Sequence, residues 1–290
     1  MAAAVDGRSG ELVLFGGTSQ STPGVDLGDT WTWRSGRWRR RQPATSPSPR
    51  FGAVMADDPA AGTLVLVGGE RRGAGGGPLQ DTWIWDGVRW TVRVPAAAPP
   101  PGSSARGLAY HAATRTLVLV TEPGPDGSPD GTWTWDGRTW SAHPEAGTPL
   151  VRWMAASPDG AVVAVTEPDA AGRGATWRWD GSRWQRLRPP TDVGVEPLSA
   201  VLAADPATRS TVLVEVEFQG GAGAAEGGTW VWDGDRWTEH HATPGVVGAF
   251  DVTEPVAGDG PGLTLVGGAL GAGAYREAWA WDGAAWRRTR

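Results

Sequence analysis

The chain has no cysteine, no lysine and no asparagine, and a single isoleucine, Ile84. Without cysteine there is no disulfide, no thiolate metal site and no cysteine nucleophile. Without lysine there is no Schiff-base amine and no phosphate-loop lysine. Without asparagine there is no N-glycosylation acceptor. The 26 basic residues are therefore all arginine, set against 32 acidic ones, and the net charge of −6 argues against nucleic acid as a partner. Avoidance of A- and T-rich codons points to a GC-rich bacterial source. No run approaches the roughly 18 apolar residues that suggest a spanning helix. Met1 to Gly10 lack the basic stretch and apolar core of a secretory signal. The expectation is a soluble, cytoplasmic protein with no membrane association. The 290 residues, 40% of them apolar, suffice for a packed core.

Tryptophan supplies the organisation. Of 19 tryptophans, 18 fall in six copies of one octad, W-x-W-x-x-x-x-W, starting at Trp31, Trp83, Trp133, Trp177, Trp230 and Trp279. A period near fifty residues marks a repeat architecture. Before each octad lies a short apolar run bounded by Gly or Pro, such as Leu12–Phe15, Leu64–Val67, Leu117–Val120 or Val162–Val165, which reads as a buried strand. In Trp83–Trp90 the Asp86-Gly87 pair predicts a two-residue type I′ turn. That turn would set Trp83 opposite Trp90, with Trp85 on the same face. Four antiparallel strands per repeat, with indoles covering one face, stack radially as a six-bladed all-β propeller. The expected blades are 1–41, 50–94, 103–142, 149–188, 197–239 and 247–290 of a single domain. The first strand of blade 1 would be Met1–Val5, and no spare strand follows the last octad. Closure by whole-blade packing, or an upstream extension, is therefore expected in place of a strand-swapped latch.

These motifs resemble the kelch-repeat β-propeller family. Gly16-Gly17, Gly68-Gly69 and Gly267-Gly268 match its double glycine. Asp29-Thr-Trp31 and Asp81-Thr-Trp83 open octads, and Ser46-Pro-Ser-Pro-Arg50-Phe-Gly52 is similar to the start of a kelch blade. The likeness spans essentially the whole chain. It is most specific in blades 1, 2 and 6; blades 3 to 5 lack the double glycine, and blade 1 has Arg34-Ser-Gly36 in place of the Asp-Gly turn. The resemblance implies the propeller fold but no particular activity, since one fold carries many. The copper site of the galactose-oxidase type needs a cysteine-crosslinked tyrosine, and this chain has no cysteine and only Tyr110 and Tyr275. No cofactor and no metal site is expected.

Strand order puts the long 2–3 and 4–1 connections on one face, where a rigid scaffold usually carries recognition. Blades 3, 4 and 5 carry Glu122, Glu167 and Glu217 at the second-glycine position, and blades 3 and 4 carry Arg106 and Arg152 at the first-strand position that matches Ala53. With His111 and Trp153, these residues are expected to gather near the channel mouth on the long-loop face. The bland alternative is a solvated ring of salt bridges. The primary reading is a non-catalytic binding or scaffold module for a protein partner or small polar ligand. The alternative is a lyase, isomerase or hydrolase in which Arg106 and Arg152 hold a small polar or anionic substrate and a glutamate acts as base. Other features carry less. His143 and His240 belong to blades separated by a third, so they do not suggest a shared metal. Gly73–Gly77 opens no helix, so it is not a phosphate loop. Arg39–Arg41 and Arg287-Arg288 most simply guard edge strands.

Overall fold

The second strand of each blade forms where leucine and valine run together between turn residues: Glu11–Thr18, Thr63–Val67, Thr116–Thr121, Val162–Thr166, Ser210–Glu215 and Leu263–Gly267. A run buried on both faces need not alternate, and Leu64, Val65, Leu117, Val118, Val162 and Val163 are wholly shielded from solvent. Each of these strands sits inside a four-stranded antiparallel sheet whose strands follow chain order. The chain is an all-β propeller of six such blades, seen in a computed structural model that describes residues 1–19, 22, 24–73, 76–122, 131–167, 169–170, 173–189, 193–194, 200–205, 207–215, 228–240, 255–257, 263–267 and 277–288. Among the described residues there is no helix. Two two-stranded ribbons accompany the blades, Glu70–Arg71 with Gly77–Pro78 and Arg173–Gly174 with Val193–Gly194. The chain divides into two compact units, 1–148 with 180–184, and 149–179 with 185–290.

Within each unit the indoles of one blade cover the face of the blade before it. Trp83, Trp85 and Trp90 share a cluster with Ala2, Ala4, Val13 and Phe15 of blade 1. Trp133, Trp135 and Trp140 do the same with Ala56, Val65 and Ile84 of blade 2. Trp230, Trp232 and Trp237 meet Ala155, Val163 and Val165, and Trp279, Trp281 and Trp286 meet Ala203, Val212 and Val214.

In blades 2 to 6 the last indole of the octad also needs an acceptor for its buried N–H. The threonine just before the preceding blade's octad provides it. Trp90 donates to Thr30 at 2.9 Å, Trp140 to Thr82 at 3.0 Å, Trp184 to Thr132 at 2.9 Å, Trp237 to Thr176 at 2.8 Å and Trp286 to Thr229 at 3.0 Å. The dipeptide Thr-Trp is therefore a functional pair: the threonine serves the next blade while its tryptophan serves its own.

The hairpin register differs from the expectation. Trp85, not Trp83, stands opposite Trp90, and Trp83 faces Val92. Trp135–Trp140, Trp232–Trp237 and Trp281–Trp286 repeat this pairing. The reason lies in the aspartate. Asp86 Oδ1 accepts from the backbone N–H groups of both Val88 and Arg89 at 2.9 Å, so the turn takes four residues and only Gly87 needs a positive φ, 93°. The two-residue turn with both central residues at positive φ occurs in blade 1, at Ser35 (49°) and Gly36 (73°). A shift of two residues keeps parity, so all three indoles still share one face.

Candidate functional site

The double glycines of blades 1 and 2 build an irregular corner at the long-loop end. Gly16 and Gly17 have φ of 68° and 107° and interrupt the register between the second and third strands. A Cβ on Gly16 would lie 2.5 Å from the Arg50 carbonyl oxygen. Blades 3 and 4 move the irregularity to the first strand. The register of Ala105–His111 shifts around Arg106, and that of Val151–Ala156 around Arg152. Each arginine is the extra residue of a β-bulge, a device that re-aims a side chain. Freed from positive φ, the second-glycine position accepts glutamate, and the bulged arginine pairs with it. Arg106 bonds Glu122, and Arg152 Nη1 meets Glu167 Oε1 at 2.8 Å. Arg152 also lies over the Trp153 ring, 5.6 Å from its centre. Both pairs are partly exposed and each is closed within its own blade.

Blade 5 corrects the alignment. Thr229 pairs with Val214 as Thr82 pairs with Val67, so Glu215 occupies the first-glycine position and Glu217 falls one residue past the second. Glu217 lies outside the described residues. Glu215 folds its carboxylate back to accept from the Gly228 N–H at 2.8 Å. His111 is also misplaced by the sequence reading. It ends the first strand of blade 3 at the short-turn end, six residues from Ala105, which faces Thr121 beside Glu122. That is about 20 Å along a strand. His111 is buried, its Nδ1 sits 2.7 Å from Thr114 Oγ1, and Gly181 packs against its ring. His143 Nε2 meets Thr134 Oγ1 at 2.9 Å, and His240 stands edge-on to Trp281.

A residue that sequence reading treated only as a motif letter proves central. Arg50 is 1% exposed. Its guanidinium grips Asp81 through both terminal nitrogens and donates to the carbonyls of Gly68 and Ser48. Asp81 in turn accepts from Trp83 Nε1 at 2.7 Å. Burial pushes the Asp81 carboxyl up, but the Arg50 and Trp83 hydrogen bonds outweigh it and hold the group below the usual value. This trio plugs the long-loop end of blade 2. Strand pairing identifies its counterparts in blade 4. Trp153 faces Val165 as Val54 faces Val67; Arg152 is an extra residue and blade 2 has no bulge there, so Val151 takes the place of Ala53 and Thr148 that of Arg50. Ala175, two before Trp177, takes the place of Asp81. The ion pair that fills blade 2 has no counterpart in blade 4, and a cavity of about 320 Å³ lies at this end, lined by Pro149, Ala175, Glu167, Arg173, Trp177 and Arg186 among others. Among the described residues of the expected set, Glu167 lines it.

No family model matches the chain, and no curated protein matches it. Solved structures do, at low identity. The chain is similar to YjhT, with 13% identity, a TM-score of 0.60, and coverage of 100% of this chain and 96% of that one. It is similar to AofleA from Arthrobotrys oligospora, with 12% identity, a TM-score of 0.58, and coverage of 99% and 83%. It is also similar to YCF48 bound to D1 peptide, with 14% identity, a TM-score of 0.54, and coverage of 100% and 81%. At such identities the likeness speaks for the propeller fold alone. Among the described residues no helix is long and apolar enough to cross a membrane.

Proposed function

We propose that the chain is a kelch-like binding propeller that presents its long-loop end to a protein or a small polar ligand. The observation that carries this reading is the blade 4 cavity, an open recess set on rigid strand ends where blade 2 is plugged. The bulged pairs Arg106–Glu122 and Arg152–Glu167 offer further polar groups at the strand ends of blades 3 and 4. The enzyme alternative asks the arginines to hold substrate and a glutamate to act as base. In blades 3 and 4 the two roles fall on groups already bonded to each other, which supports binding over general-base chemistry. The solved YCF48 neighbour holds a peptide, and a peptide belongs to the partner class proposed here. The test is a thermal-shift screen of metabolites and short peptides on the wild type and on the Arg106→Ala/Arg152→Ala variant, with mass spectrometry of each mixture. A ligand recovered unchanged supports the reading, and chemical turnover of any hit overturns it.

A further inference from the structure

We infer that the blade 4 cavity is a carboxylate subsite, taking a monoanionic group with an apolar neighbour. The inference rests on the binding reading above and names its ligand class. At about 320 Å³ the cavity lies at the lower end of the roughly 300–1,000 Å³ of small-ligand sites. Arg173 and Arg186 line it with exposed side chains, and among the described residues neither guanidinium has an acidic partner. Of the lining carboxylates, Glu167 is engaged by Arg152, and Asp169 accepts from the Arg173 backbone N–H at 3.1 Å. Two free guanidiniums therefore face the recess, and such forks match a carboxylate bidentately. A dianionic phosphate would set a second charge against Glu167 and Asp169, which favours the monoanion. The apolar half of the lining, with Pro149, Ala175 and the 63%-exposed Leu150, suits a hydrocarbon body next to the charge.

The walls are built for this shape. The ribbon that carries Arg173 lies so close to the second strand that a Cβ on Gly174 would stand 2.7 Å from Val165 Cγ1. Val193, its partner in the ribbon, is fully buried. The loss of the aspartate also strips Trp177 of its acceptor. Trp31 and Trp83 donate to Asp29 and Asp81, whereas the buried Nε1 of Trp177 has no hydrogen-bond partner among the described residues.

The probe is 3-phenylpropionate, with 3-phenylpropanamide as its neutral counterpart and a short peptide ending in phenylalanine, either as free acid or as amide. Binding is read from indole N–H resonances, with Trp177→Phe identifying the relevant one. The acids are expected to shift the Trp177 resonance, and the amides to bind at least roughly tenfold more weakly. Arg173→Gln and Arg186→Gln should each weaken the acids by roughly tenfold, and Arg93→Gln on blade 2 should not. If the peptide acid binds and phenylpropionate does not, the carboxylate comes from a chain terminus; the converse assigns a free small acid. Equal binding of acid and amide, wild-type binding by either arginine variant, or no binding of any acid overturns the inference. A ligand from the wider screen that maps to another part of the long-loop end would overturn this subsite and leave the binding reading standing.

Discussion

Asp57 is the residue whose chemistry departs most from its ordinary value. Burial pushes its carboxyl up to about 6, the neighbouring charges of Asp6 and Asp58 add to this, and the Gly7 N–H at 3.2 Å opposes it. The folded state thus keeps a proton that the unfolded chain releases. Its favourable contribution is whole below about pH 4, is lost as pH rises to about 6, and stays a fixed cost above that. Asp57→Asn keeps an acceptor for Gly7 and carries no charge. Its melting temperature should equal or exceed that of the wild type at pH 7, and the difference between the two should shrink as pH falls from 6 to 4. A constant difference across that window would show that Asp57 does not titrate there. Trp90 tests the packing at the same scale. It is 1% exposed and touches Trp85 and Phe15 at centroid separations of 5.2 and 5.4 Å. Trp90→Ala should cost about 3–5 kcal/mol. Thermal unfolding within a degree or two of wild type would contradict the stacked-indole core.

At the scale of elements, the octad and the corner behave differently. The octad pairs its second and third indoles in five blades, across an Asp-Gly loop in blades 2, 3, 5 and 6 and across Ser35-Gly36 in blade 1. The corner at the end of the second strand is variable: two glycines in blades 1 and 2, a bulged arginine in blades 3 and 4, and neither in blade 5, where the first two strands pair without a shift. Blade 4 adds a ribbon that depends on Gly174. Gly174→Val would drive its side chain into Val165 and the Thr166 carbonyl, which lie within 3.0 Å of a single Cβ. Overpacking of this kind typically costs about 1–3 kcal/mol. The expected outcome is a lowered melting temperature with earlier hydrogen exchange at Arg173 and Val193 than in the rest of the blade. Unchanged exchange there would show that the ribbon does not rest on this contact.

For the molecule as a whole, one device recurs from blade 2 to blade 6, an indole that is buried on the preceding blade and bonded to its threonine. Thr82 and Trp140 are both about 1% exposed and meet at 3.0 Å. Thr82→Val leaves the Trp140 N–H buried without an acceptor and should cost about 1–3 kcal/mol. Trp140→Phe removes the donor as well, so the double variant should lose clearly less than the sum of the two single changes. Strict additivity in denaturant unfolding would mean that the bond contributes nothing to the seam.

Fold class, blade count and the shared indole face were legible in the chain because the octad repeats and because a strand alternates with period two. The hairpin pairing was not, because Asp-Gly at a loop tip is compatible with two- and four-residue turns, and the choice rests on where the aspartate oxygen finds N–H donors. The arginine–glutamate pairs were half legible. Residue types and approximate positions could be aligned, but only the pairing of Thr229 with Val214 shows that Glu217 falls one residue past the position of Glu122 and Glu167. The blade 4 cavity was invisible, although every residue that makes it stands in the sequence. It lies where Thr148 and Ala175 take the places of Arg50 and Asp81, and those four become equivalent only once strand pairing, with the Arg152 bulge counted, brings positions about 25 to 30 residues apart to one end of a blade.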